Sequence, residues 1–428
     1  MSLASKLAAK PFKLNPAQED AIAKLVDFVQ DPNPPSLFFS LKGFAGTGKT
    51  SCMKEVVAML AGSKTKFAFC APTNKAVKVL AAVTGEACTI YSLLNLRVDT
   101  SGELKTVVGG KAPDLSHINV IVLDEASMVN ANLFSILKDV CDDTGIKVVF
   151  MWDDAQLPPV KESQSAVHAV PTAVSLTEVM RHDNQILELV TRIRQAMMSI
   201  APSIDIKSDN ADGEGVWKLI RPTFKQHIYE KALEGGFADG AKGKVIAWRN
   251  KTVDDYNNLI RSAVYGAEAV PGYYLVGDRI VAAAPCKRGD VVVMTTDEEA
   301  LVEKVTPCKH PLAPEYQGLE LLCRTETNKT VRLLVLHPES KAAFECDCEM
   351  LAADARANGK LWKKFWEKKD LFHDARYAYA ITAHRSQGST YENVWVDFQD
   401  ILMNRNRKEA FQCLYVACSR PTTRLVLG

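Results

Sequence analysis

The stretch Leu37-Phe-Phe-Ser-Leu41-Lys-Gly43-Phe-Ala45-Gly46-Thr47-Gly48-Lys49-Thr50 sets the architecture expected of the whole chain. Leu37 to Leu41 is a short apolar run of the kind found in strands buried on both faces of a sheet. The run leads into a Gly-rich turn of the form G-x-x-x-x-G-K-T. Met53, Val56, Val57 and Leu60 then recur at helical spacing. Strand, Gly-rich turn and helix in this order build a phosphate cradle. Glycines let backbone N–H groups close on phosphate oxygens, and the helix N-terminus adds partial positive charge. Gly43, Ala45, Gly46, Thr47 and Gly48 form the cradle, Lys49 reaches toward β- and γ-phosphates, and Thr50 is placed to hold Mg²⁺.

Working outward, Asn15 with Pro16 opens a helix whose apolar face is Ala21, Ile22, Leu25, Val26 and Val29, and Asp31-Pro32 ends it. Short apolar runs follow at Phe67 to Cys70, Val120 to Leu123 and Val148 to Trp152, separated by helical patterns. Buried strands alternating with helices predict a mostly parallel α/β sheet covered on both faces. Residues 95–113, rich in turn signals between short alternating segments, read as a projecting β-hairpin. A second α/β pattern starts near Lys244 to Ala247 and resumes after Tyr377. Between them, 276–345 holds short strands with a turn at Asn328-Lys329, which reads as a small β-barrel insertion. Residues 349–373 read as helical. The close pair Cys346 and Cys348 reads as part of a strand rather than as a metal clip, because no second pair matches it.

The chain has 428 residues, enough for about three domains at roughly 150 residues each. Lys and Arg number 52 against 51 Asp and Glu, a formal charge of +1, which gives no support to a polybasic protein. Eleven cysteines, spread through the chain, fit reduced thiols and a cytoplasmic setting. No run of apolar residues is long enough for a membrane span or a secretory leader.

A phosphate cradle needs a metal carboxylate at the end of another strand. Asn119-Val-Ile-Val-Leu-Asp124-Glu125 supplies one: Asp124 is placed for Mg²⁺, and Glu125 to take a proton from attacking water. A third strand ends in Trp152-Asp153-Asp154-Ala155-Gln156, where Gln156 can contact a γ-phosphate. Together these make a nucleoside-triphosphate site that takes Mg²⁺.

Taken in chain order, further segments join this set: Gln18, Ala71-Pro72-Thr73-Asn74, Thr89-Ile-Tyr-Ser92, Leu176-Thr-Glu-Val-Met-Arg181, Thr382-Ala-His384-Arg385-Ser386-Gln387-Gly388, and Leu414-Tyr-Val-Ala-Cys-Ser-Arg420. With them the chain resembles the superfamily 1 DNA helicases of the RecD-like branch, from about Leu14 to Leu427. The resemblance implies two RecA-like motor domains. The first is 1–200, with the hairpin as a strand-separating pin. The second is 201–275 with 375–428, and 276–374 is an SH3-like barrel with helices inserted into it. It implies that Gln18 reads adenine, a role compatible with its place in a capping box after Asn15. It implies γ-phosphate roles for Arg181 and Arg420, the latter from the second motor domain. Gln387 and Gly388 would touch nucleotide or couple it to DNA.

For DNA, the resemblance implies that Pro72, Thr73, Asn74, Thr89 and Ser92 face a single strand in the first domain. Trp248, Asn250, Thr382, His384, Arg385 and Ser386 would do so in the second. Trp248 reads equally as a core residue. The lysines at 363, 364, 368 and 369 read as a solvated helix face. Three departures from the family pattern stand out: Trp152 where glycine is common, Arg385 in place of lysine, and Pro421 after Arg420. The implied function is an ATP-dependent helicase moving 5′-to-3′ on single-stranded and forked DNA as a monomer. Single-stranded-DNA-binding or replication, repair and recombination proteins are the expected partners, and the host cytoplasm is the setting if the gene belongs to a phage. Two other readings stay open, a translocase that displaces bound proteins with little unwinding and a nucleotide-gated DNA-binding or loading switch.

Overall fold

The structure, a computed structural model, describes residues 14–98, 104–106, 113–159, 162–178, 185–199, 202–289 and 291–428. The contacts divide the chain into two compact units. The first holds the described residues up to Gly215 together with Gln387–Thr390 and Asn404–Arg420, and the second holds the rest.

In the first unit, β1 (Phe38–Gly43), β2 (Phe67–Ala71), β3 (Cys88–Thr89), β6 (Val120–Leu123), β7 (Lys147–Trp152) and β8 (Thr172–Leu176) form one sheet in the order β3-β2-β6-β7-β1-β8. Every pairing in it is parallel. Alternate residues of each strand feed opposite cores. Val120, Val122, Val149 and Met151 pack with Ile22, Leu25, Met53 and Val56 on one face. Ile121, Leu123, Val148 and Phe150 pack with Leu133, Leu137 and Cys141 on the other. This is why the strands read as continuous apolar runs. Asn15 opens the helix Pro16–Gln30 with a full capping box to Gln18. Two further strands, β4 (Leu96–Val98) and β5 (Leu104–Thr106), pair antiparallel as a hairpin with Leu96 opposite Thr106. The rest of the expected hairpin, 99–103 and 107–112, lies outside the described residues.

The second sheet contains β9 (Asp209–Ala211), β10 (Glu214–Lys218), β11 (Gly243–Ala247), β19 (Ala380–Thr382), β20 (Tyr391–Val396) and β21 (Pro421–Leu427), in the order β19-β11-β20-β21-β10-β9. Its β19, β11, β20 and β21 run parallel. The two sheets with their covering helices are RecA-like α/β domains. Between β11 and β19 in the chain lies an antiparallel sheet of β12 (Arg279–Ala282), β15 (Glu299–His310), β16 (Ala313–Thr325), β17 (Thr330–Leu336) and β18 (Ala375–Tyr377), beside the ribbon β13 (Cys286–Arg288) and β14 (Val291–Met294).

Two sequence expectations in this insertion are corrected. Cys346 and Cys348 lie in the helix Pro338–Ala357, not in a strand. A two-residue spacing cannot separate strand from helix, and the flanking Ala, Glu and Met favour the helix. The strands expected to be short are not all so: β15 holds 12 residues and β16 holds 13, and the inward row of β15 includes the buried Ala300 and Val302.

Three ion pairs tie the insertion to the second motor sheet. Lys244 of β11 donates to both oxygens of Glu299 at 2.9 and 3.0 Å. Arg261 of the helix Asn250–Tyr265 grips Asp278 through two parallel bonds at 2.9 and 3.0 Å. The third joins Arg385 to Asp297. Buried charges persist when paired and bonded in this way, and the planar guanidinium suits the bidentate grip.

Candidate active site

Three neighbouring strands, β6, β7 and β1, bring the nucleotide motifs to one carboxyl edge of the first sheet. In α/β sheets such an edge is where ligands bind. The cradle leaves β1 at Gly43 and enters the helix Lys49–Met59. Gly46 and Gly48 have φ of 79° and 84°, values that suit glycine. A Cβ at Gly48 would also stand 2.6 Å from Gln18 Nε2. The Thr47 hydroxyl donates to the Phe44 carbonyl at 2.9 Å, which closes the loop on itself. Lys49 Nζ donates to the Gly43 and Phe44 carbonyls at 2.7 and 3.1 Å, so its ammonium lies over the cradle.

Gln18 meets the cradle from the side. Its Oε1 accepts from Asn15 N–H at 3.1 Å, and its Nε2 donates to the Thr47 carbonyl at 3.1 Å. One lone pair and one N–H of the amide remain for a planar base edge.

Asp124 and Glu125 follow β6. Burial first, and then the Glu125 charge, push the Asp124 carboxyl up to about 6, while Lys49 acts in the opposite direction. Glu125 itself has φ of 53°, a left-handed turn that swings it away from the line of the strand. Thr50 and Asp124 are hard oxygen donors suited to Mg²⁺, and the mutual influence of Asp124 and Lys49 puts them within one electrostatic site.

The third motif is held by groups far away in sequence. Asp153 is raised by burial, an effect opposed by Lys49 and by donation from the Tyr415 hydroxyl. That hydroxyl reaches Asp153 Oδ2 at 2.6 Å and accepts from Ala45 N–H of the cradle at 3.2 Å. Gln412 donates to the Gln156 carbonyl at 2.9 Å. Among the described residues, Gln156 Oε1 and Ser127 Oγ are buried without a partner. Trp152 fits the sheet by donating to Ser40 Oγ at 2.8 Å and packing against His168.

Arg420 belongs to the same unit as the cradle, and its guanidinium donates to Val416 O, Ser389 O and Ser419 Oγ. Gln387 Nε2 donates to the Leu157 carbonyl at 3.1 Å, just past the third motif. Gly388, with φ of 69°, sits against Ala76 and Thr73. Arg181 lies outside the described residues. One residue the sequence did not flag is Arg194, whose guanidinium lies 3.5 Å from the centre of the Phe44 ring of the cradle. Nothing local to Arg194 signals that contact.

The expected DNA-facing segments lie at matching strand ends. Pro72, Thr73 and Asn74 follow β2, and Thr89 ends β3, the next two strands after β6. Pro72 is buried and Asn74 exposed. Thr73 and Thr89 cap short helices by accepting from Ala76 and Ser92 N–H, which partly occupies their hydroxyls. In the second unit, Ala247 and Thr382 are register partners at the ends of β11 and β19. Asp400 pins the turn after β11, accepting from Trp248 N–H, Arg249 N–H and Thr252 Oγ1. Trp248 is half-buried and Asn250 exposed. Thr382 Oγ1 accepts from Arg385 N–H, and Ser386 is buried with its hydroxyl on the Ala383 carbonyl. His384 is half-buried in the same turn.

A cradle with its lysine, a carboxylate pair and a glutamine on three adjacent parallel strands define a P-loop NTPase. Two family models match this chain, an AAA domain over residues 13–209 and a UvrD-like helicase C-terminal domain over 377–427. The chain is similar to superfamily 1 helicases of the RecD-like branch. It is 24% identical to the ATP-dependent DNA helicase dda of Enterobacteria phage T4, with 89% of this chain and 92% of that protein covered. It is 23% identical to the uncharacterized protein R530 of Acanthamoeba polyphaga mimivirus, with 96% and 99% covered. A crystal structure of the Pif1 helicase from Bacteroides with ADP-AlF3 and ssDNA is 14% identical and has a TM-score of 0.49, with 95% of this chain and 91% of that one covered. Among the described residues, no helix is long and apolar enough to cross a membrane.

Proposed function

We propose that this chain is an ATP-dependent DNA helicase that moves 5′-to-3′ along single-stranded DNA and opens the duplex ahead of it. The observation that carries the reading is one contiguous sheet edge. The ends of β1, β7 and β6 bear the nucleotide groups, and the ends of the adjoining β2 and β3 bear the DNA-facing hydroxyls and amide. A change at the phosphates therefore has a short path to the strand-binding segments. The likeness to a phage ATP-dependent DNA helicase over 89% of the chain supports the same activity.

In this reading Gln18 orients the base and Lys49 neutralises phosphate charge. Thr50 and Asp124 would hold Mg²⁺, which when bound would supply neutralisation of the charge that builds up on the phosphate oxygens. Glu125 accepts the proton of the attacking water, and Gln156 aligns that water or the γ-phosphate. Arg181 and Arg420 stabilise the transferring group. Alternating grip by the two motor domains on a single strand turns each turnover into a step, and the hairpin of β4 and β5 serves as the pin. The protein acts as a monomer in the cytoplasm on forked DNA, alongside single-stranded-DNA-binding or replication and recombination proteins.

Steady-state ATP hydrolysis with and without single-stranded DNA tests the reading. Strong stimulation by DNA is expected. Hydrolysis indifferent to DNA would leave only a nucleotide-gated binding module.

A further inference from the structure

Tyr415 lies on the helix Arg407–Cys418, whose residues from Ala410 to Cys418 are all buried. Its side chain is 1% exposed and the Asp153 side chain 2% exposed, so neither is bonded to bulk water. The Tyr415 hydroxyl uses both of its capacities there. It donates to Asp153 Oδ2 at 2.6 Å and accepts from the Ala45 amide at 3.2 Å. Asp153 Oδ1 in turn accepts from Ala155 N–H at 2.9 Å, and the Asp153 carbonyl accepts from Gln156 N–H at 3.3 Å. Gln412, three residues before Tyr415 and hence on the same helix face, holds the Gln156 carbonyl at 2.9 Å.

We infer that Tyr415 is a positioning residue for ATP hydrolysis, fixing the Asp153–Gln156 turn against the phosphate cradle so that the Gln156 side chain meets the γ-phosphate in register. This rests on the helicase reading above and deepens it. Tyr415 works through Asp153, which follows β7 while Ala45 follows the neighbouring β1, and the shared hydroxyl bonds the turn directly to the cradle. The Gln156 amide oxygen is buried with no partner among the described residues, as expected of a group held ready for a ligand. A hydroxyl shared between loop and turn couples their positions through one atom. Phenylalanine keeps the ring that fills the space and deletes that atom.

The test is Tyr415→Phe, with hydrolysis measured across ATP concentrations at saturating single-stranded DNA. Nucleotide affinity is measured separately with a fluorescent ATP analogue. The expected result is a fall in kcat of about 10- to 100-fold, the range for losing one hydrogen bond to a charged group. KM and analogue affinity should stay within about twofold, because binding through the cradle does not require the turn. A merely structural role would move both together or lower the melting temperature. Asp153→Asn and the double variant complete the cycle. If Tyr415 acts through Asp153, the double variant is no slower than the slower single variant. Wild-type turnover in Tyr415→Phe, or losses that multiply in the double variant, overturns the inference. Wild-type protein run in parallel separates this from the broader reading. No DNA-stimulated hydrolysis in the wild type overturns the helicase assignment and this role with it. Normal wild-type hydrolysis with an unaffected Tyr415→Phe overturns this role alone.

Discussion

Arg385 donates through Nε to Asp297 Oδ1 at 2.7 Å and through a second nitrogen to the Ala282 carbonyl at 3.1 Å. The turn after β19, read from sequence as a DNA-facing segment, is thereby fastened to the antiparallel insertion between β11 and β19. Its cation is engaged within the fold before any phosphate arrives. Lysine, whose donors all sit on one nitrogen, lacks the planar fork that reaches these two acceptors from separate nitrogens, which gives a physical reason for arginine at this position.

This arrangement predicts that Arg385 supports DNA binding through Asp297. Arg385→Ala and Asp297→Ala should each weaken single-stranded DNA binding by a similar factor, and the double variant should be no worse. Because the two side chains are 26% and 21% exposed, their coupling in unfolding should be only about 1 kcal/mol. If Arg385 instead meets a phosphate directly, Arg385→Ala would lower the salt slope of binding by about one, and Asp297→Ala would tighten binding.

The Lys244–Glu299 pair should be a sensitive electrostatic contact in the second unit, since the two side chains are 0% and 2% exposed. Glu299→Gln leaves the Lys244 ammonium buried without its counter-charge. It should cost about 3–5 kcal/mol in denaturant unfolding. Lys244→Met with Glu299→Leu should recover most of that loss. A Glu299→Gln loss below about 1 kcal/mol would mean that water reaches the pair.

Asp124 links stability to pH with a definite sign. Its folded carboxyl titrates near 6, above the ordinary value of 3.8, so the folded state holds its proton more tightly than the unfolded chain. The stabilising contribution is complete below pH 3.8 and is lost as pH rises through about 6. Asp124→Asn should therefore raise the melting temperature of the nucleotide-free protein at pH 7.5, with no gain at pH 3.5. The same change should abolish Mg²⁺-dependent hydrolysis, because a neutral amide is a poor partner for the metal. An unchanged melting temperature at pH 7.5 would contradict the desolvation argument.

Arg420→Ala should leave ATP binding within a few-fold of wild type and lower turnover by roughly 10³ or more, the scale of an arginine finger. Binding can be followed with a fluorescent ATP analogue, and turnover by phosphate release. Near-normal turnover would confine Arg420 to its bonds with Val416, Ser389 and Ser419.

The nucleotide site was legible in sequence because its parts are local. A cradle of eight residues, Asp124-Glu125 and Gln156 each carry their chemistry at a strand end, and buried parallel strands announce themselves as apolar runs. What positions these groups was not legible, because it depends on distant pairings. Tyr415 meets Asp153 across 262 residues, and Asp400 meets Trp248 across 152. Neither tyrosine nor aspartate has a spacing that reveals such a partner. The charge of Arg385 could be read from sequence, but its engagement with Asp297 could not. In the insertion, a two-residue spacing made Cys346 and Cys348 look like strand residues.

The central claim, directed unwinding driven by ATP, is tested most directly by strand displacement with Mg-ATP. Two duplexes are compared, one with a 5′ single-stranded tail and one with a 3′ tail, with Lys49→Ala protein as the inactive control. Displacement from the 5′-tailed duplex alone, absent with Lys49→Ala, is the expected result. Displacement from the 3′ tail alone would contradict the polarity, and failure to open either duplex would contradict the helicase assignment.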